Sequence, residues 1–416
     1  MATSTGRPLL GLGARADGEA SAAAPLGLEA ATGEEPVAVD LRAALLDALP
    51  AWLVSRGLVV LALVAAHLSV AHLRPDNAAA AQRVHDGLLS WDAGWYESIA
   101  AHGYGASGPQ SLRFFPGFPM AARALSWIPG VSVGAALVVL ANLAALGAFV
   151  ALGVLVRRDL GDAALARRSV WLLALAPSAY ALVLGYADAA LLLLAVLTLL
   201  LVRRHRWWWA AATGLAAGLV RPVGALLLVP ALVEALRDRG SSSAPAAGAA
   251  GGRAGWLPRL AAVAAPVAGC AAYLAWVGAQ FGDPWLPLRV QQQHGHRGPL
   301  TAPLSAMWHN TLAVLHGHHL GSALHIPWVV LCLALLVLAY RRLPGSYAAL
   351  ATAVLAVSLT SSNLDSFECY ALGAFPLVVA ASTLTARRWV EVTVLAVSAA
   401  AMTGYALAAF VGVVVP

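Results

Sequence analysis

Long apolar runs separated by arginine clusters constrain this chain more than any other feature. Hydrophobic residues fill 60% of its 416 positions and charged residues only 11%. The apolar residues come in unbroken runs, not in the period-2 or narrow-stripe patterns of soluble proteins. A backbone in hydrocarbon must satisfy its own hydrogen bonds, which leaves helices and closed barrels. The runs are helix-length, and about 20 residues are needed to cross ~30 Å of hydrocarbon. The reading is an all-α polytopic membrane protein with about eleven transmembrane helices. They begin near Ala51, Val131, Ser169, Ala187, Trp207, Pro222, Arg259, Ala323, Ser346, Tyr370 and Trp389. Residues 1–50, rich in Ala, Gly and Glu, read as a disordered tail, because they lack the cationic start and compact apolar core of a signal peptide.

All 26 basic residues are arginine. The absence of lysine excludes a Walker-type phosphate loop and Schiff-base chemistry, both of which need an amine. Clusters such as Arg157-Arg158, Arg203-Arg204-Arg206, Arg341-Arg342 and Arg387-Arg388 fall on one side of the membrane if the amino terminus is cytoplasmic, as the positive-inside rule requires. The segment from Arg203 to Arg239 is basic at both ends, so it goes out and back as two short helices meeting near Arg221-Pro222. Two large loops then lie outside, about 74–130 and 281–322, and 239–255 ("RGSSSAPAAGAAGGRAG") is a flexible cytoplasmic linker.

The polar chemistry concentrates in those outer loops. "SWDAGWYESIAAHGYG" carries Trp91, Asp92, Trp95, Tyr96, Glu97 and His102. On a helix, Trp91 and Trp95 share one face and Asp92 and Tyr96 the next. Interfacial aromatics are common in any membrane protein. A carboxylate among them is partly desolvated, which makes it a better base. Glu97 lies on another face and reads as solvated. In "RFFPGFP" two prolines and a glycine forbid regular helix. Phe115 there is either part of a bland re-entry or of an aromatic shelf, with Arg113 able to meet an anion. Arg221, at a helix tip within the membrane, needs a partner, either Asp188 or a lipid phosphate. His294, His296, His316, His318 and His319 lack the carboxylate–His spacing of a metal site, so no metal is expected. The three cysteines are too scattered for a disulfide framework or a zinc site. No dinucleotide fingerprint and no nucleic-acid signature appears. Glu368 and Tyr370 stand at the outer end of the tenth expected span.

Taken in order, "SWDAGWYESIAAHGY", "RFFPGFPMAARAL", "APSAYALVLGYADAALLLL", "GLAAGLVRPVG", "FGDP" and "CYALGAFPL" resemble the PIG-V-like mannosyltransferases. These are polytopic glycosyltransferases of the GT-C type, related to the second mannosyltransferase of GPI-anchor assembly. The resemblance spans about residues 91–377. It implies a GT-C-like bundle in a bacterial cell membrane that moves mannose from a polyprenyl-phosphate donor to a glycolipid, polysaccharide or protein acceptor. No cofactor beyond that lipid-linked co-substrate is implied. Asp92 would be the catalytic base. Trp91, Trp95, Tyr96, His102, Arg113, Phe115 and Arg221 would bind substrate, and Asp188, Glu368 and Tyr370 would support the site. Two positions depart from the family pattern: Asp188 replaces a usual Glu, and Cys369 replaces a usual Arg. If that Arg holds donor phosphate, its role shifts here to Arg113 or Arg221. A transporter or flippase, which would put its working charges near the midplane, and an inactive scaffold subunit are the rival readings.

Overall fold

The structure, a computed structural model, describes residues 41–73, 77–240, 255–293, 296–316, 325–364 and 366–415. The expected tail as far as residue 40, the core of the 239–255 linker, and His294, His318 and His319 lie outside them. α1 (Leu41–Leu73) leads into short elements: α2 (Ala78–Asp86), α3 (Asp92–His102), α4 (Tyr104–Ser107) and α5 (Gly117–Leu125). There follow α6 (Val133–Leu160), α7 (Ala163–Ala174), α8 (Asp188–Arg203), α9 (Trp207–Val220), α10 (Leu228–Gly240) and α11 (Trp256–Phe281). The second loop holds α12 (Leu286–Gln291) and α13 (Pro303–Leu315). The chain continues with α14 (Ile326–Arg342), α15 (Gly345–Leu359), α16 (Phe367–Leu372), α17 (Pro376–Ser382) and α18 (Arg388–Val411). No strand occurs among the described residues; Leu300 and Ser361 form one isolated bridge. The protein is an all-α polytopic membrane protein.

Among the described residues, four helices are long and apolar enough to cross a membrane unaided: Leu41–His72, Val133–Leu160, Trp256–Phe281 and Arg388–Val411. α1 begins at Leu41, ten residues ahead of the boundary expected from the sequence, so the last part of the supposed tail is helical. The other expected spans are shorter or broken. The one expected from Tyr370 is instead α16 and α17, six and seven residues long. Each is only ~10 Å of helix. Pro376 cannot donate its backbone nitrogen to a continuous helix, which separates the two.

Breaks inside an apolar bundle strand backbone carbonyls, each costing several kcal/mol unless something pairs them. At the 3-10 turn Pro177–Leu182 between α7 and α8, side chains do so. Arg56 Nη2 donates to the Leu182 carbonyl at 3.2 Å, and Asn142 Nδ2 to that of Val183 at 3.0 Å. Arg56 Nε also donates to Asn142 Oδ1 at 2.9 Å, joining α1 to α6 at this break. The second break, at Arg221-Pro222, is where the sequence places it. α9 stops at Val220, Arg221 is extended (φ −154°), and a 3-10 turn over Pro222–Leu227 leads into α10.

α9 and α11 cross at backbone contact. Small residues permit this, and Gly214 and Gly218 make a G-x-x-x-G pair. A Cβ on Gly218 would strike the Pro266 carbonyl, and one on Gly269 the Leu215 carbonyl.

The arginine clusters gather at one end of the bundle, tied by ion pairs. Arg157 pairs with Asp47, Arg259 with Asp238, and Arg203 with both Asp159 and Glu234. Tyr347 donates to Asp159 at 2.9 Å. The start of α8, the end of α9 and the end of α15 meet at the opposite end, together with α3.

Candidate functional site

At that opposite end lies a cavity of about 400 Å³. Asp92, Tyr96, Arg113, Arg221, Arg297 and Tyr370 are among its polar lining, and Phe114, Phe115, Val223, Leu226, Leu288 and Val357 among its apolar walls.

Asp92 opens α3. Its backbone N–H donates to Tyr186 Oη at 3.3 Å, and Tyr186 donates onward to the Ser90 carbonyl at 3.4 Å. Tyr186 sits on the turn between Leu182 and α8, and Gly185 N–H on that turn donates to the Leu88 carbonyl at 2.9 Å. The broken segment therefore fixes the entry into α3. Arg113 Nη2 lies 3.4 Å from Asp92 Oδ1. The Asp92 side chain keeps 43% of its surface open to the cavity, yet protein surrounds it deeply. Burial raises its pKa, and Arg113 and Arg221 oppose the rise without cancelling it. A carboxylate held in this way is a stronger base than a solvated one.

Arg113 is itself steered. Its Nη1 donates to His296 Nδ1 at 3.2 Å, which leaves the proton on Nε2 for Gln110 Oε1 at 2.9 Å. Gln110 Nε2 donates in turn to Gln293 at 3.0 Å. Burial and the adjacent Arg113 lower the His296 pKa, so the ring is neutral and able to accept. The chain of bonds ties the first loop to the second. The Arg113 guanidinium also lies 4.5 Å over Phe114.

Asp188 and Arg221 pair directly, one at the start of α8 and the other at the end of α9. Both are mostly buried, at 14% and 20% side-chain exposure. Of the two partners the sequence allows Arg221, the structure provides Asp188. Arg221 nonetheless reaches the cavity wall and sits 5.4 Å from the Tyr370 ring.

Asp92, Tyr96, Arg113, Phe115, Arg221 and Tyr370 thus meet at one cavity, with Asp188 behind Arg221. Four expected residues do not reach it. Trp91 does not share a helical face with Trp95, because α3 starts one residue later and Trp91 has φ 59°. Its indole donates to the Ala409 carbonyl on α18 at 3.0 Å, under the Arg83 guanidinium. Trp95 stacks on Phe114 with centroids 6.1 Å apart, one ring removed from the cavity. His102 ends α3 and is exposed, ~15 Å of helix beyond Asp92. Glu368 faces away from the cavity across α16. It lies 2.7 Å from His325 Nδ1, beside a separate apolar cavity of about 590 Å³. His316 is exposed and bonds to its own helix at the Leu312 carbonyl. Glu97 is half-buried, with its carboxyl against Gly134 on the first turn of α6.

Sequence reasoning missed Tyr186, Arg297 and Gln291, the last of which lines the cavity and donates from Nε2 to Tyr370 Oη at 3.5 Å. Tyr186 stands two residues before Asp188 in "GYAD", and Arg297 is one of two arginines in the second loop, the other being Arg289.

Residues 116–364 match Glycosyltransferase family 87. The chain belongs to glycosyltransferase family 87. The match covers Asp188, Arg221 and Arg297; Asp92 and Arg113 lie just ahead of it, and Glu368 and Tyr370 just after it. No curated protein and no solved structure matches the chain. The cavity described above is thus the candidate active site of a family 87 membrane glycosyltransferase.

Proposed function

We propose that the protein transfers mannose from a polyprenyl-phosphate donor to an acceptor hydroxyl at the extracytoplasmic face of a bacterial membrane. The observation that carries this reading is Asp92, a carboxylate of raised basicity in a cavity shared with arginine side chains and apolar walls. The arginine-rich end lies opposite, so the positive-inside bias supports an outward-facing cavity. Mannose and the lipid phosphate rest on the resemblance over residues 91–377, narrower than the family match.

In this reading Asp92 takes the proton of the acceptor hydroxyl. The acceptor oxygen bonds to the sugar's anomeric carbon as the bond from that carbon to the phosphate oxygen breaks. The phosphate leaves with the electron pair, and guanidinium groups hold its charge. A lipid phosphate is already a good leaving group, so no general acid is demanded. The arginines take the place a metal would fill, and transfer is expected to survive chelation by EDTA. Tyr96 and Phe115 exclude water and offer sugar-facing rings.

The test is transfer of labelled mannose from polyprenyl-phosphate mannose by the full chain in lipid nanodiscs, with extracted bacterial lipids as acceptors. Asp92→Asn keeps the shape and hydrogen bonding of the group and cannot accept the proton. Its turnover should fall by roughly 10²–10⁴-fold, while Glu97→Gln stays close to wild type. If Asp92→Asn keeps more than about a tenth of normal turnover, Asp92 is not the base.

A further inference from the structure

The cavity wall does not balance its charge. Arg113 faces Asp92 at 3.4 Å, and Arg221 pairs with Asp188. Arg297 is the third guanidinium on the wall. Among the described residues no carboxylate reaches it. Its polar contact is with a carbonyl, Nη2 donating to Ser358 O at 2.6 Å, and its guanidinium lies 4.1 Å over the Tyr370 ring. Arg221 also lies 5.4 Å from that ring. Two cations therefore flank one aromatic, and of the two it is Arg221 that pairs with a carboxylate, Asp188. An arginine so placed has further donors to offer, since a guanidinium carries five N–H groups in a planar fork.

The backbone that presents Arg297 is held on both sides. Its N–H donates to the Gln291 carbonyl at 3.0 Å, where α12 ends, and its carbonyl accepts from Asn363 N–H at 3.2 Å and from Ser361 Oγ. The Asn363 amide donates to the adjacent His296 carbonyl at 2.9 Å. Gly298 follows with φ 71° and no room for a side chain against Ser362. A solvated surface arginine needs no such frame. A cation pinned at the wall of a partly apolar cavity, in excess over its carboxylates, is a prepared anion site.

We infer that Arg297 is the phosphate-binding residue of this cavity, with Tyr370 orienting its guanidinium, while Arg113 and Arg221 mainly serve Asp92 and Asp188. The inference rests on the proposal of a lipid-phosphate donor for the donor's identity, but the anion site is testable without turnover. The probe is citronellyl phosphate, a short water-soluble prenyl phosphate, titrated calorimetrically into the full chain in nanodiscs. Arg297→Gln keeps a donor for Ser358 and loses the charge. Its Kd should rise about 10- to 100-fold, the range for one hydrogen bond to a charged group. Arg289→Gln, an arginine outside the cavity, should bind as the wild type does.

Folded Arg297→Gln that binds within twofold of wild type overturns the assignment. So does a wild type that shows no binding. If Arg297→Gln does not fold, Arg297→Lys decides: it keeps the charge and loses the fork, and it must bind at least threefold more weakly. A wild type that binds the probe through Arg297 yet transfers no mannose keeps the anion site and removes the donor proposal. A wild type that transfers mannose undiminished by Arg297→Gln does the reverse.

Discussion

Arg221 can be asked directly whether it holds the fold or the substrate. In the structure it pairs with Asp188, and the two side chains are 20% and 14% exposed. Removing one partner of a buried pair strands the other charge, which costs about 3–5 kcal/mol. Residual compensation pulls the figure to the low end of that range. Without Arg221, Asp188 still sits on the first turn of α8, where the helix dipole returns about 0.3–1 kcal/mol. Without Asp188, Arg221 still has the Tyr370 ring at 5.4 Å, worth about 0.5–1 kcal/mol. Arg221→Ala and Asp188→Ala should therefore each destabilise by ~3 kcal/mol, and Asp188→Asn/Arg221→Gln by much less than the sum. The assay is reversible unfolding of the purified chain in one fixed detergent, completed as a double-mutant cycle, with citronellyl phosphate binding measured on the same samples. A coupling energy of about 2 kcal/mol or more supports the structural pair. The reasoning fails if the singles unfold within ~0.5 kcal/mol of wild type while phosphate affinity drops. Arg221 would then be an anion ligand that only happens to lie beside Asp188.

Other expectations follow from the same geometry. Because burial raises the Asp92 pKa, the acid limb of kcat/KM should lie above the ordinary aspartate value of ~3.9 and vanish in Asp92→Asn; a limb at or below that value refutes the assignment. The sign for stability is opposite to the usual carboxylate: the folded state binds this proton more tightly than the unfolded chain, so the group's contribution is present at low pH and lost as pH rises through the folded pKa. Asp92→Asn should accordingly melt no lower than wild type near neutrality. Gly218→Leu should destabilise by at least about 1–3 kcal/mol, since its side chain meets backbone that cannot repack; unchanged unfolding would mean α9 and α11 do not cross this closely. Single cysteines at Gly105 and Gln292 should react with an impermeant reagent from outside, and one at Arg341 only after permeabilisation; the reverse pattern would move the cavity to the cytoplasmic face.

Much of the architecture is legible in the sequence because hydropathy and arginine placement are local properties. The break at Arg221-Pro222 is legible for the same reason: proline carries its own instruction. The division of the Tyr370 segment into α16 and α17 is less so, because a run such as "ALGAFPLVVA" is apolar enough to read as one span. Within the site, Asp92 stands out as an acid among aromatics, and Arg221 as a charge that must find a partner. The orientation of Trp91 was not available from helical spacing, since that argument presumes a helix already under way and Trp91 precedes it. Arg297 gives almost no local signal. Its meaning comes from the 361–363 segment, more than sixty residues away, whose bonds hold it at the cavity wall.

The site's charges share one physical origin. A continuous transmembrane helix pairs all its backbone groups and gives a charged side chain little to work with. Here Asp188 and Arg221 stand at helix ends made by chain breaks, and Asp92 stands at the start of α3, docked on the Gly185–Tyr186 turn through two hydrogen bonds. The breaks are affordable because Arg56 and Asn142 pair the carbonyls released at Leu182 and Val183. Arg56 thus acts on the cavity without lining it: it steadies the turn that carries Tyr186, and Tyr186 accepts the Asp92 N–H. Loss of that clamp should disturb turnover through the placement of Asp92, not through its basicity. Arg56→Gln is therefore expected to lower kcat while leaving the acid limb of the pH profile in place. A shifted limb with normal kcat would show that Arg56 acts on Asp92 through its charge instead.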